Sequence, residues 1–211
     1  MSLSLTSLIA YIATLVVAIT VHEFCHAWAG HRLGDVTAQR EGRLTLNPLK
    51  HIDPFFTLLL PLMLIFLGSP VVFGAAKPVP FNPYAVRYGK WGAALVAIAG
   101  PMSNLAMAAF VATYMRLFAL PAAAGGVLVS FVMINLGFFV FNMLPVPPLD
   151  GSRVLYAAAP PALADLLDRI ERFGLAGVML FLFVFYQFLS PYIVLVITSL
   201  GRALLGSSAG F

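Results

Sequence analysis

Charge is scarce in this chain, and cysteine scarcer still. Of its 211 residues 9% are charged, one is cysteine and 61% are hydrophobic. Soluble domains carry about 25% charged residues, so a soluble globular domain is excluded and an integral membrane protein is expected. The lone Cys25 excludes an internal disulfide. Twelve Lys and Arg against eight Asp and Glu leave a formal charge of +4, but the basic residues are spread through loops between apolar runs. That is the pattern of membrane topology, not of nucleic-acid binding. The first apolar segment lacks a basic leader and does not read as a cleavable signal. No internal repeat is visible, and no length remains for a separate soluble domain of ordinary size. Residues 1–211 therefore read as a single transmembrane domain.

What the chain does have is apolar runs, at 5–28, 55–76, 91–120, 127–144 and 174–200. Crossing the hydrocarbon takes about 20 helical residues. The first, third and fourth runs fit that length, the fourth being short. The second is interrupted by Pro61, Gly68 and Pro70, which suits a broken or re-entrant element better than a straight span. The fifth contains Pro191 and predicts either one kinked helix or two shorter ones. The expected fold is an all-α polytopic membrane protein: three core helices, a re-entrant segment and a C-terminal helix or helix pair.

Inside the first run lies His22-Glu23-Phe24-Cys25-His26. Two imidazoles and a carboxylate are costly in hydrocarbon, so ionisable residues there mark a functional site. On an α-helix positions i and i+4 share a face, one turn apart. Both histidines can then reach one Zn²⁺, while Glu23 stands beside them as a general base for a water on that metal. Cys25 is about 100° off that face and reads as a packing residue. A chance pair of helix-packing histidines leaves Glu23 unexplained. A catalytic zinc keeps three protein ligands, and the candidate for the third is Asp150, in the proline-rich run 141–151.

Topology tests whether these residues can meet. If 55–76 crossed the membrane, three crossings would separate Asp150 from His26. If it dips and returns, two crossings bring Asp150 back. The re-entrant arrangement also gathers Arg32, Arg40, Arg43, Lys50, Lys77, Arg87, Lys90, Arg153, Arg169 and Arg172 on one side and leaves Arg116 on the other, with Arg202 depending on how the last segment is counted. That asymmetry makes the site's side cytoplasmic.

With His22-Glu23-x-x-His26, Gly100-Pro101-x-x-Asn104, the stretch 47–54 and the late Asp150-Gly151, the sequence resembles the site-2 protease family of intramembrane zinc metalloproteases, in its compact bacterial and archaeal form. These motifs reach from residue 22 to 151. The resemblance implies a three-helix catalytic core, about 5–151, with a C-terminal membrane segment at about 174–205 and neither a PDZ nor a CBS domain. It implies one Zn²⁺ held by His22, His26 and Asp150, Glu23 as catalytic base, and Asn142 at the position of the family's asparagine. It further implies hydrolysis of single-span transmembrane proteins or membrane peptides within a prokaryotic cell membrane.

Several residues keep two readings. Asn142 either donates to a developing oxyanion or bonds backbone freed by Pro145, Pro147 and Pro148, which must run extended. Residues 36–46 read as a β-hairpin turning near Glu41-Gly42, or as a loop; as a strand pair at the rim it would hold substrate by strand addition. His51 pairs with Asp53 or lies exposed at the interface. Asn104 bridges helices, and Gly100-Pro101 opens the third stretch as a structural element. Asp165, Asp168, Arg169, Glu171 and Arg172 mark an interfacial amphipathic helix. Two alternatives to a protease stay open: a zinc-transporting membrane protein, and an inactive metal-binding scaffold. A His₂-carboxylate set also suits iron, so zinc rests on ligand type and on the resemblance.

Overall fold

The computed structural model describes residues 5–66, 76–118, 121–173 and 188–206, and among them there are helices and turns but no strand. Helix α1 runs Leu5–Leu33, α2 Thr37–Arg40, α3 Leu60–Phe66, α4 Gly89–Leu117, α5 Ala122–Asn142, α6 Asp150–Ala158, α7 Pro161–Arg172 and α8 Ser190–Leu205. Helices α1, α4 and α5 are long and apolar enough to cross a membrane. Their ends are set by residues that cannot continue or begin a turn otherwise. Gly34 at φ 112° stops α1. Pro121 precedes α5, and Pro161 and Pro191 sit in the first turns of α7 and α8, where a missing N–H costs nothing. The two residues before Ser190 are themselves helical, and residues 174–187 of that run lie outside the described residues.

Helices α4 and α5 form the centre. Ala108 and Ala112 of α4 meet Val132 and Leu136 of α5, and Leu205 of α8 closes the cluster. Small residues let the helices approach where lipid supplies no hydrophobic drive. Gly201 is one of them, since a Cβ there would fall 2.7 Å from Met133 Sδ. Helix α1 packs against both α4 and α5, and its histidines meet α4, His26 at that helix's backbone.

The second apolar run leaves and returns on one side. Its approach is a π-helical turn, Pro54–Leu59, running into α3. The Lys77 N–H donates to His51 O at 2.9 Å, and Arg43 donates to the carbonyls of both Lys50 and Lys77. Ends joined by a hydrogen bond cannot lie on opposite faces of a layer about 30 Å thick. Residues 67–75 of this run lie outside the described residues.

Two expectations are corrected. Residues 36–46 hold no hairpin: Thr37–Arg40 is one helical turn. Asp35 accepts from the Thr37 N–H before it, and Arg43 N→Ala38 O with Gly42 N→Gln39 O closes it around Gly42 at φ 64°. This is the left-handed glycine stop of a helix, which wins over the β preference of Val36 and Thr37. Gly100-Pro101 does not open a helix either. Helix α4 has begun at Gly89, so both residues sit in its interior.

Candidate metal centre

On α1 the fourfold spacing puts His22 and His26 on one face, and that face meets α4. His22 Nδ1 lies 2.7 Å from Asn104 Oδ1 and His26 Nδ1 lies 2.8 Å from Val96 O. Carbonyl oxygens only accept, so both Nδ1 atoms carry the proton and donate. Both Nε2 atoms therefore present lone pairs. They sit 2.9 Å apart, and Asp150 Oδ2 stands 3.2 Å from one and 3.3 Å from the other. That oxygen is buried and accepts no hydrogen bond.

Three acceptor atoms pointed at one another, without protons between them, are repulsive unless a cation lies among them. A tetrahedral ion with bonds of about 2.0–2.2 Å separates its ligands by roughly 3.3–3.6 Å, close to the two Asp150 distances and somewhat wider than the gap between the histidines. The residues fit zinc in donor type, number and charge. Space for the two rings exists because position 100 has no side chain: a Cβ there would lie 2.3 Å from His26 Nε2 and 2.7 Å from His22 Nε2. Next door, Pro101 deprives Ala97 O of its helical donor, one residue beyond the Val96 carbonyl that bonds His26.

Glu23 lies one residue from His22 and faces the same cavity, which measures about 560 Å³. Its Oε2 accepts from the Val79 N–H at 3.0 Å. Histidine, histidine and aspartate with an adjacent glutamate make a hydrolytic donor set. Comparison with known proteins agrees. A Bacillus subtilis protein named "Putative zinc metalloprotease YwhC" is 37% identical over 206 residues, covering 93% of this chain and 89% of its own length. Proteins named "Putative zinc metalloprotease Rip2" are 32% identical in Mycolicibacterium smegmatis and 34% in Mycobacterium tuberculosis, over 82% and 85% of this chain and 66% of their own lengths. This chain belongs to that zinc metalloprotease family. No family model and no solved structure matches it.

The remaining expected positions in this metalloprotease fall as follows. Asn142 lines the cavity, and its Nδ2 donates to Phe138 O at 3.0 Å, one turn back on α5. One amide hydrogen is thus spent on its own helix. Asn104 bridges three helices as expected, but it also holds His22, which its spacing in sequence did not reveal. His51 is neither exposed nor paired with Asp53: it is fully buried, and its Nε2 donates to Thr45 O at 2.8 Å. The amphipathic helix expected around 165–172 is α7, tied to α6 by the ion pair of Arg153 and Glu171.

A strap of chain without helix or strand, 77–82, lines the cavity through Pro78, Val79, Pro80 and Phe81 and escaped the sequence reading. Its first half hangs from Arg43, whose buried guanidinium donates to Lys50 O, Lys77 O and Pro78 O. Its far end hangs from Asp35, whose Oδ2 accepts from the Asn82 N–H at 2.8 Å. Asp35 lies beyond α1 and its carboxyl is held below its ordinary value. Burial pushes it up, and the hydrogen bonds from Thr37 and Asn82 outweigh that. Between the anchors the strap presents the Val79 N–H to Glu23.

Proposed function

We propose that this protein is an intramembrane zinc endopeptidase of the site-2 type, cutting single-span membrane proteins or membrane peptides from the cytoplasmic side of a prokaryotic cell membrane. The observation that carries this reading is the convergence of His22 Nε2, His26 Nε2 and Asp150 Oδ2 on a helix fit to cross a membrane, with Glu23 facing the same cavity. His26 is six residues before Arg32, the first charged residue toward that end of α1, so the site lies about 9 Å below it. The names of the relatives support both zinc and proteolysis. The basic residues on the strap's side support a cytoplasmic opening.

His22, His26 and Asp150 would hold the ion. When bound, zinc supplies Lewis acidity, polarising the scissile carbonyl and making a water acidic near neutral pH. Glu23 takes the proton of the attacking water and delivers it to the leaving nitrogen, so that the peptide C–N bond breaks to a carboxylate and an amine. The Val79 N–H fixes one oxygen of Glu23 and leaves Oε1 for that water. Asn142 keeps a second amide hydrogen and is the candidate donor to the developing oxyanion. A helical substrate has to unwind first, because its own hydrogen bonds cover the carbonyls.

The test is cleavage of a single-span reporter by purified protein in detergent, comparing wild type with Glu23→Gln and quantifying zinc in both. Cleavage is expected to fall by about 10²–10⁴-fold with zinc retained. Equal cleavage by both proteins would remove Glu23 from the mechanism. Zinc in both proteins and cleavage by neither would favour the transporter or scaffold reading.

A further inference from the structure

We infer that Asn104, backed by Asn135, is a positioning residue for the metal: the two amides lock the His22 ring in the tautomer and orientation that present Nε2 to the ion. The inference rests on the reading that His22, His26 and Asp150 hold zinc.

The lock is a directed chain of hydrogen bonds. Asn135 Nδ2 donates to Phe131 O at 2.9 Å, on its own helix, which turns Asn135 Oδ1 toward α4. Asn104 Nδ2 donates to that Oδ1 at 3.0 Å and to Ala18 O at 3.2 Å. Two acceptors thus claim the NH₂ of Asn104 and leave its Oδ1 facing His22 Nδ1 at 2.7 Å. Flipping Asn104 would set oxygen against oxygen at two contacts. Both asparagines are fully buried and His22 is 6% exposed, so water cannot substitute for a missing partner. The ring has one stable arrangement, with its proton on Nδ1 and its lone pair aimed at His26 and Asp150. The partner that orients a ligating histidine also sets its strength as a ligand, and loss of such a partner typically weakens metal binding by about 10–100-fold. His26 is oriented by a main-chain carbonyl, which substitution cannot remove. His22 depends on a side chain, contributed by α4 and held by α5.

A role in helix bridging alone would also explain two buried asparagines, and aspartate separates the roles. Asn104→Asp keeps an acceptor for the His22 Nδ1–H but loses both donors, to Ala18 and to Asn135. It should bind zinc at least as tightly as wild type while the metal-free protein melts lower. Asn104→Ala should bind zinc about 10–100-fold more weakly, and Asn135→Ala should lose less, in the same direction. The measurement is zinc affinity of purified protein in detergent, by competition with a chromophoric chelator, alongside the melting temperature of each metal-free variant. His22→Ala serves as reference. If wild type binds no tighter than His22→Ala, the metal-site reading itself fails. If His22→Ala loses zinc while Asn104→Ala stays within about threefold of wild type, the positioning role alone is overturned. Should Asn104→Ala not fold, Asn104→Asp decides: zinc binding as poor as in His22→Ala would mean that Asn104 only braces the helices.

Discussion

Replacing Gly100 by alanine would put a methyl carbon 2.3 Å from His26 Nε2, 2.6 Å from His26 Cε1 and 2.7 Å from His22 Nε2. Carbon atoms rest at about 3.5 Å from their neighbours, so the overlap is about 1 Å. The rings can swing away, and the fold should survive. Overpacking costs about 1–3 kcal/mol, and the change from glycine to alanine in a helix returns about 1 kcal/mol. A net loss of roughly 0–2 kcal/mol leaves the protein folded. The site is far less tolerant, since ligand distances are held to about 0.2 Å and a misplacement of 1 Å costs on the order of 10²-fold in rate. Gly100→Ala is therefore expected to melt within a few degrees of wild type, yet to lose zinc on dialysis and at least about 10²-fold in cleavage. Gly125→Ala is the control: nothing lies within 4 Å of a Cβ there, so stability should rise slightly and activity should hold. Wild-type zinc content and cleavage in Gly100→Ala would show that the two histidines do not work where they stand.

Three further outcomes are expected. A chelator should lower the melting temperature of wild type, by the equivalent of about 2.7 kcal/mol where free zinc had been 100-fold above Kd, and leave Asp150→Ala unmoved; an equal shift in both would point to zinc bound elsewhere. Arg43→Met leaves the Lys50, Lys77 and Pro78 carbonyls without their donor and should cost on the order of 3 kcal/mol. Hydrogen exchange at Val79 reports the strap directly, and unchanged protection there would sink the anchoring role. Asp35 has a folded pKa depressed below its ordinary 3.8, so its contribution is complete above that value and fades as pH falls through the folded one. The melting-temperature gap between wild type and Asp35→Asn should hold steady above about pH 5 and close under stronger acid; a gap that widens on acidification contradicts the sign.

Much of the site was legible because its chemistry is costly where it stands. His22, Glu23 and His26 announce themselves by lying in an apolar run, and the basic residues around 55–76 revealed a segment that returns to its starting side. Features made by backbone were harder to read. The Asp35–Gly42 turn looks like a hairpin by residue preference, and only the acid before it and the glycine after it mark a helical turn. Gly100 looked structural because its contribution is a missing side chain, and nothing in the sequence names what fills the gap. Arg43 was counted for its charge, whereas its work is done on three carbonyls, two of them distant in the chain. The link of Asn104 to Asn135 spans 31 residues and exists only once α4 and α5 pack.

The two anchors of the strap differ in what can release them. Guanidinium stays charged at any pH the protein survives, so the Arg43 end is a permanent hinge. The Asn82 end hangs from a carboxylate that strong acid can neutralise. Acid would therefore loosen the strap first at its Asn82 end, with Arg43 still holding the Lys77 end.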